Sequence, residues 1–505
     1  MKGVVAAGDE KSAQAGADIL KEGGNAYDAA VAVMLAAPMC EPLFTSLGGG
    51  GFLLGVEKNS EPILYDFFVD VPEKRIAEPE FFPIYVDFKT SIQEFHIGAG
   101  SIAIPGMVKG IYQIYEDKCT LPLSTLIQPA VKYAKEGVYL SGMQASFLKL
   151  TEPIFTSTKS STDVFTKDGK LVDETHLFKN PDYADFLENF AKEGSRLFYD
   201  GVVAQTIENI SKENDGLIYR QDLHNYKTIK RKPIKFNYKN YEMYTNPPPS
   251  CGGILIAFTM KLLEKIDLKE FRSKEEVKQL IEAFNITSDF RSEHIDEFLH
   301  EVGLEDILQN ERLLKNFLIS QNSRLNLWGN TTHLSIIDEN GTAVSITTTN
   351  GEGSGHVIKG CGIMLNNMLG EEDLNPHGFF SWPHGIRLPS MMAPTAVLKD
   401  GFPHLLLGSA GSNRIRSAII QTMINYLDYG KDIQQSITAP RVHYEKGIVG
   451  MEPFCDKLIL DEIQKHYKLE YFDDLNLFFG GVQAVNGELQ GGCDTRRGAS
   501  VLYVE

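Results

Sequence analysis

Two runs of alternating apolar residues flank the turn sequence DENG at residues 338–341, and this pattern limits the fold more than any other feature of the chain. The run LSII stands before the turn and AVSIT follows it. Alternation with a period of two is typical of a strand with one buried face, and Asn-Gly is a frequent hairpin turn. The sequence therefore predicts a β-hairpin here, and TAVL and HLLL around residues 399–401 predict a second one.

Other parts of the chain show helical spacing of apolar residues. Residues 12–22 and 26–37 are predicted helices, separated by Gly23 and Gly24, with Asn25 as the N-cap of the second. Later helices are predicted at residues 254–266, 274–286 and, with interruptions, 295–317. Helices thus precede and follow sheet segments without regular alternation, which indicates a layered α/β architecture rather than a doubly wound fold.

The charge balance excludes several classes of partner. Acidic residues exceed basic ones by 67 to 49, a net charge of -18 that repels nucleic acid and anionic membranes. The longest nearly apolar stretch near the start, residues 29–40, is shorter than the ~20 residues that a membrane-spanning helix needs. The first residues contain no apolar segment followed by a small-residue cleavage site, so we expect the protein in the cytoplasm.

Neither the cysteines nor the glycine-rich segment predicts a metal or nucleotide site. The six cysteines are far apart and form no C-x-x-C pair, which favours reduced packing thiols. The run LGGGGFLLG at residues 47–55 has GxGxxG-like spacing, but an apolar strand follows its glycines, whereas a dinucleotide site needs a helix there.

A candidate nucleophile stands just before the first predicted hairpin, in the sequence Asn330-Thr331-Thr332-His333. A threonine at the head of a strand is where a terminal nucleophile would be held rigidly. Threonine is common in strands, so this signal alone is weak.

Ordered motifs along the whole chain give the signal its context. They are KEGGNAYDAAVA (21–32), SLGGGGFLL (46–54), IPGMVKG (104–110), GLIYRQDLHNYK (216–227), NPPPSCGG (246–253), TTHLSIIDENGTAVSITT (331–348), SGHVIKGCGIMLNNM (354–368), GSAGSNR (408–414) and DTRRGA (494–499). In this order and spacing, the chain resembles the γ-glutamyltranspeptidase (glutathione hydrolase) family from its first helix to its end.

The resemblance implies an N-terminal nucleophile hydrolase fold, α/β layered (αββα), with two stacked sheets between helical layers. It also implies self-cleavage between Asn330 and Thr331 into a large subunit, 1–330, and a small subunit, 331–505, folded as one unit. The length of 505 residues alone would suggest about three domains. A dimer of cleaved units is a further arrangement that the resemblance leaves open.

Elementary chemistry supports the role of Thr331. A threonine hydroxyl is a poor nucleophile until a base takes its proton, and cleavage creates that base as the residue's own α-amine, with an ordinary pKa of about 8. Before cleavage the same hydroxyl would attack the carbonyl of Asn330 in an N-to-O shift. Because nucleophile, base and backbone donors suffice, we expect no metal and no organic cofactor.

The resemblance implies further site residues. Thr349 matches the second threonine that orients the nucleophile, and the backbone N–H groups of Gly411 and Ser412 match the donors to the oxyanion, although the family usually has two glycines there. The candidates for binding a small-molecule amide substrate are Arg75, Asn350, Glu371, Arg387 and Ser390.

The substrate segment departs from the family pattern at three positions. Phe68 stands where the family has the arginine that binds the glutamyl α-carboxylate, with Arg75 as the nearest substitute. Met368 and Met391 replace hydrogen-bonding residues. These changes predict a less polar pocket and a preference for an amide that keeps a carboxylate but lacks the amino-acid head.

The remaining candidates have structural interpretations. Five histidines show no metal-like spacing, and the terminal motif is expected to form an ion-pair network; these residues are His333, His356, His377, His384, His404, Asp494, Arg496 and Arg497.

Three functions stay open: a γ-glutamyltransferase-like hydrolase that transfers its acyl group to water or an amine, an amidohydrolase of another small carboxylate-bearing amide, and an uncleaved, inactive binding homologue.

Overall fold

The computed structural model describes residues 1–87, 92–309, 330–454 and 457–505. Part of the predicted helical stretch 295–317, together with Cys455, lies outside these ranges. The strands are β1 Gly3–Ala7, β2 Gly50–Val56, β3 Ile63–Phe67, β4 Phe82–Asp87, β5 Ile92–Ile97, β6 Val138–Tyr139, β7 Thr166–Lys167, β8 Lys170–Leu171, β9 Leu177–Phe178, β10 Ile229–Arg231, β11 Ile234–Tyr238, β12 Tyr241–Thr245, β13 Thr332–Asp338, β14 Ala343–Thr349, β15 Val357–Ile358, β16 Ile363–Met364, β17 Thr395–Lys399, β18 Phe402–Ala410, β19 Val442–Glu445, β20 Ile448–Met451, β21 Lys468–Tyr471, β22 Gly481–Val485, β23 Gly491–Cys493 and β24 Ser500–Val504.

The helices occupy most of the chain between residues 99 and 309 and flank the sheets elsewhere. The α-helices are α1 Glu10–Lys21, α2 Ala26–Cys40, α3 Met107–Lys118, α4 Leu123–Leu126, α5 Gln128–Glu136, α6 Gly142–Leu150, α7 Glu152–Phe155, α8 Lys159–Phe165, α9 Pro181–Glu193, α10 Arg196–Tyr199, α11 Val202–Glu213, α12 Arg220–Asn225, α13 Cys251–Glu264, α14 Lys274–His294, α15 Arg414–Leu427, α16 Ile433–Thr438 and α17 Lys457–Ile463. Short 3₁₀ helices are found at Ala99–Ser101, Leu304–Gln309, Met368–Gly370, Glu372–Leu374, Leu477–Phe479 and Thr495–Arg497.

Two large antiparallel sheets form the centre of the molecule. The first has the strand order β10-β3-β2-β14-β13-β1-β24, and the second has the order β11-β12-β17-β18-β22-β23. Strands β13 and β14 of the first sheet lie against β18 and β22 of the second. The two predicted hairpins, β13–β14 and β17–β18, are therefore confirmed, and they lie face to face.

Each face of the first sheet belongs to a different hydrophobic core. Val5 faces a core shared with α1, α2, α5 and α9, whereas its neighbour Val4 faces a core shared with the second sheet, α13, α14 and α15. Burial on both faces explains why successive strand residues are all apolar. The helix–sheet–sheet–helix layering confirms the predicted αββα class.

Local predictions near the N-terminus are also confirmed. The Asn25 side chain accepts hydrogen bonds from the backbone N–H groups of Tyr27 and Asp28, and the Asp28 carboxylate accepts from the Asn25 N–H, a reciprocal cap at the start of α2. The predicted continuation of helix beyond α14 is wrong for residues 295–303, which form turns, and a 3₁₀ helix follows at Leu304–Gln309. In the described parts of the chain, no helix is long and apolar enough to cross a membrane.

The glycine run before β2 permits close backbone contact rather than nucleotide binding. A Cβ atom on Gly49 would lie 2.1 Å from the carbonyl oxygen of Thr349, and one on Gly48 would lie 2.2 Å from that of Met364. The carbonyl oxygen of Gly49 also accepts hydrogen bonds from Gly106 and Met107. Without side chains here, β2 can pack against the end of β14.

We therefore expect Gly49→Ala to displace Thr349, to lower the free energy of unfolding by about 2 kcal/mol or more, and to slow cleavage before Thr331. Denaturant unfolding and intact-mass analysis would measure the two effects. Gly142→Ala is a suitable control, because a Cβ atom at that position would meet no heavy atom within 4 Å. If the two variants had equal free energies of unfolding and equal rates of cleavage, the steric explanation would be contradicted.

Candidate active site

Thr331 lies immediately before β13, at the end of the space between the two sheets. Its exposed fraction is 6% and that of Asn330 is 8%. Both residues line a cavity of about 30 Å³, whose wall also includes residues from β14, from the segment after β16 and from the loop after β18. The Asn330–Thr331 peptide is thus held in a nearly closed space.

Thr349, at the end of β14, contacts the bond that is predicted to break. Its hydroxyl donates a hydrogen bond to the carbonyl oxygen of Asn330. The N–H of Gly351 donates to the same hydroxyl oxygen over 3.0 Å, which directs the hydroxyl proton towards Asn330. A donor at this carbonyl stabilises the negative charge that forms when the Thr331 hydroxyl attacks it.

The loop after β18 places Gly411 and Ser412 beside the same cavity. Both residues have positive φ angles, 118° for Gly411 and 50° for Ser412. Ser412 is in the left-handed region, which is unfavourable for a non-glycine residue, and its hydroxyl donates to the carboxylate of Asp373. Asn413 donates to the other oxygen of Asp373 over 3.2 Å. These two bonds explain how the loop accommodates serine.

Apolar side chains form much of the remaining wall. The cavity is lined by Phe68, Leu374, Met391, Met392 and Ile415. Phe68 therefore lies at the site, in the position that the family pattern gives to arginine. Of the two methionines predicted to make the pocket less polar, Met391 lines it, whereas Met368 is packed in the second core.

Glu371 lies on the cavity wall, in a setting that disfavours its charged form. Burial, followed by the nearby carboxyls of Glu352 and Asp373, raises its pKa well above the ordinary value. Its Oε1 has no hydrogen-bond partner among the described residues. A carboxyl whose charged form is disfavoured is a weaker partner for a substrate ammonium group than an ordinary carboxylate.

Ser390 and Asn350 were also predicted to bind the substrate, but only Ser390 lies on the cavity wall. Ser390 lines the cavity, and its hydroxyl oxygen accepts from the N–H of Met392 over 3.1 Å. Asn350 is buried next to Thr349, with its amide donating to the carbonyl of Leu365 over 3.5 Å. Ser390 can contact a substrate directly, whereas Asn350 supports the loop after β14.

The two arginines proposed to hold a substrate carboxylate have other partners. The guanidinium of Arg387 donates to Asp70 over 2.6 Å, to Asp66 over 2.7 Å and to the carbonyl of Lys227 over 2.8 Å. Its donors are therefore used in ion pairs within the protein, which argues against a role in binding a substrate carboxylate. Arg75 donates to the carbonyl of Trp382, and its Nη1 has no partner among the described residues, but it lies outside the wall of the Thr331 cavity.

The contacts of His333 and of most of the terminal motif are structural ones. Buried His333 bonds to Thr347 over 2.8 Å, and burial lowers its pKa to about 3. Asp494 and Arg496 form a buried ion pair, which Arg441 and Glu452 extend. No group of three potential metal ligands was found in the described ranges, and the five cysteines within them are free thiols.

Two further buried charged residues support Thr331 from behind. Glu41 accepts hydrogen bonds from Thr332 over 2.5 Å and from Ser12 over 2.8 Å. Arg497 points its guanidinium at the carbonyl oxygen of Thr331, 3.5 Å away, instead of joining the terminal ion-pair network. The acid-proline pair at Glu41-Pro42 was visible in the sequence, but nothing there linked it to the nucleophile.

Comparison with known proteins decides the family. The gamma-glutamyltranspeptidase family model matches residues 12–504. The chain belongs to this family. The glutathione hydrolase proenzyme of Escherichia coli is 31% identical to it, over 98% of this chain and 90% of the relative. The prediction of a γ-glutamyltransferase-like hydrolase of the N-terminal nucleophile class is thereby confirmed.

Relatives with acylase names belong to the same group. The Acylase ACY 1 proenzyme of a Pseudomonas species is 28% identical, over 89% of this chain and 84% of the relative. A cephalosporin acylase from Bacillus halodurans has a closely similar fold, with a TM-score of 0.88 and 23% identity, covering 100% of this chain and 96% of that one. Family membership thus establishes the fold and the chemical class but does not choose one substrate.

The contact between Thr349 and Asn330 predicts a specific defect in this member of the family. Thr349→Val keeps the branched shape but removes the hydroxyl, so we expect cleavage to slow by roughly 10²- to 10³-fold, as when one oxyanion donor is lost. Thr349→Ser should retain most of the rate. The time course of precursor loss on denaturing gels measures both variants, and a wild-type rate for Thr349→Val would argue against this role.

Burial of Glu41 predicts a pH-dependent stability. Burial, followed by the charge of Asp9, raises its pKa from 4.5 to about 7, so between these values the folded state holds a proton that the unfolded state has lost. The contribution of Glu41 to the free energy of unfolding should therefore fall by at most about 3 kcal/mol as pH rises from about 4.5 to 7. Above pH 7 this contribution should stay constant.

The variant Glu41→Gln cannot ionise at this position, so its free energy of unfolding should lack this pH-dependent contribution. The measurement is the difference in free energy of unfolding between the protein with Glu41 and the Glu41→Gln variant across this pH range, both in an uncleaved Thr331→Ala background. A difference that does not change with pH would show that Glu41 titrates normally in the folded protein.

Proposed function

We propose that the protein is a self-cleaving amide hydrolase in which Thr331 is the nucleophile and residues 1–330 and 331–505 become its two subunits. The observation that supports this most directly is the hydrogen bond from Thr349 to the Asn330 carbonyl inside the Thr331 cavity. This donor lies where negative charge would form during cleavage. Cytoplasmic location, independence from cofactors and any pairing of cleaved units remain predictions.

The proposed reaction uses only groups of the cleaved chain. The free α-amine of Thr331 takes the hydroxyl proton while Oγ1 bonds to the amide carbon, and the N–H groups of Gly411 and Ser412 stabilise the oxyanion. The C–N bond then breaks and the amine leaves with the proton. Water or a second amine attacks the ester and regenerates the hydroxyl.

Substitution of Thr331 tests this proposal. Thr331→Ala should abolish both cleavage and turnover, because it removes the attacking oxygen, and Thr331→Ser should retain part of each. N-terminal sequencing of the small fragment should begin at Thr331. A fragment that begins elsewhere, or a full-length wild-type chain that is stable on incubation, would refute the assignment.

A second candidate concerns the acyl group. Phe68, Met391 and Glu371, whose pKa burial raises, line the cavity wall and favour a small acyl chain that lacks an α-amino group over a full γ-glutamyl head. We propose this class of amide as the better substrate, with γ-glutamyl transfer as the slower reaction. The acylase relatives are consistent with this choice.

Steady-state kinetics should separate the two substrates. We expect kcat/KM for a des-amino analogue to exceed that for the matched γ-glutamyl anilide; where a site is built around such head groups, discrimination reaches roughly 10⁴-fold. The same anilide leaving group in both compounds keeps the chemistry constant. An efficient and stereospecific preference for the γ-glutamyl compound, or for glutathione, would restore the plain family function.

A further inference from the structure

A much larger cleft adjoins the small Thr331 cavity. Its volume is about 520 Å³, and it lies between α14, the start of α15, the end of β19 and the loop after Glu372. Asp373 lines both spaces. A substrate that enters the Thr331 cavity past Asp373 would therefore extend into this cleft.

One guanidinium in the cleft has unused donors. Arg416, on α15, is only 2% exposed, and its Nη2 donates to the hydroxyl of Ser288 over 3.0 Å. Its Nη1 is buried and has no hydrogen-bond partner among the described residues. An unsatisfied buried donor of this kind costs roughly 1–3 kcal/mol, more when charged, so an acceptor supplied by a ligand or by water would be stabilised here.

Five acidic residues line the cleft, and three of them are hydrogen-bonded to other groups. Asp296 accepts from Arg291 over 2.9 Å, and Glu445 accepts from Asn413 over 2.8 Å. The carboxylate of Asp373 is bonded to Ser412 and Asn413. The charge of Glu445 acts on Arg416, but the Nη1 of Arg416 has no hydrogen bond to an acid among the described residues.

The guanidinium of Arg416 stays charged although it is buried. Burial is the main cause that lowers its pKa to about 10, while the negative charge of Glu445 raises the pKa and the positive charge of Arg291 lowers it. The residue remains a cation at neutral pH. Two guanidinium groups held near each other in a buried cleft are stabilised when a carboxylate is added.

We propose that this cleft binds a carboxylate group of the substrate and that Arg416 recognises it through its Nη1 and Nη2 atoms. The proposal rests on the proposed amide hydrolysis at Thr331. It assigns to Arg416 the role that the sequence suggested for Arg75 and Arg387. The parallel N–H groups of a guanidinium match the two oxygens of a carboxylate, which Lys cannot reproduce.

The carboxylate could belong to either half of the amide, and three anilide-type substrates distinguish the sources. The first carries a terminal carboxylate on the acyl chain, the second has a methyl group in its place, and the third joins the methyl-terminated acyl chain to 4-aminobenzoate. We expect Arg416→Gln to reduce kcat/KM at least about tenfold for the first or the third, mainly through KM, while the second is unchanged. The affected compound identifies the source.

Lys446→Gln is the matched control, because Lys446 lines the same cleft and its loss changes the charge equally. It should affect the three substrates alike and only slightly. Arg416→Lys should recover little of the lost selectivity. Equal loss on all three substrates, or no loss on any, would overturn the proposal.

Self-cleavage separates this proposal from the proposed function. It needs no substrate carboxylate, so Arg416→Gln should release a fragment that begins at Thr331 at the wild-type rate. Failure of cleavage in the wild type would instead refute the nucleophile. If Arg416→Gln does not fold, Ser288→Ala serves instead, because it removes the acceptor of the Arg416 Nη2. We then expect kcat/KM to fall a few-fold for the substrate with the recognised carboxylate and not for the others. Unchanged selectivity would again overturn the proposal.

Discussion

The antiparallel pairing of β13 with β14 is the constraint on which the active site depends. Thr332 pairs with Thr348, so the residues that flank them, Thr331 and Thr349, emerge side by side at one end of the hairpin. The position of the attacking hydroxyl is therefore set by backbone hydrogen bonds rather than by a loop. The bare backbone of Gly49 and Gly50 lets β2 pair with β14 up to Thr349, which fixes the strand end from its other side.

Burial gives the carboxyl groups around this hairpin end unusual properties. Burial is the main cause that raises the pKa of both Glu41 and Glu352 to about 7, and it also raises the pKa of Glu371 well above its ordinary value. Neutral acids can donate hydrogen bonds and cost less to bury than carboxylates. Asp373, by contrast, is held by Ser412 and Asn413. The site thus combines a rigid nucleophile with a wall of low charge, which suits an acyl chain of low polarity.

The sequence predicted most of the elements because these depend on local pattern, as in the period of two around residues 338–341 and the cap at Asn25. The proposal of Thr331 as the nucleophile instead needed the order of motifs along the whole chain. The substrate side was harder, because it depends on which distant side chains compete for a partner. Arg387 looked available in the sequence, yet Asp66 and Asp70 occupy it, whereas nothing in the local sequence marked Arg416 as unsatisfied.

The sizes of the two spaces explain why recognition and chemistry would be divided between them. The cavity of about 30 Å³ at Thr331 is small, with little room for an acyl chain together with a charged anchor. The adjoining cleft of about 520 Å³ has that room, and its guanidinium lacks a partner among the described residues. Placing the anchor beyond Asp373 would keep the strong positive field of Arg416 away from the Thr331 amine, whose role as a base requires that it be unprotonated at neutral pH.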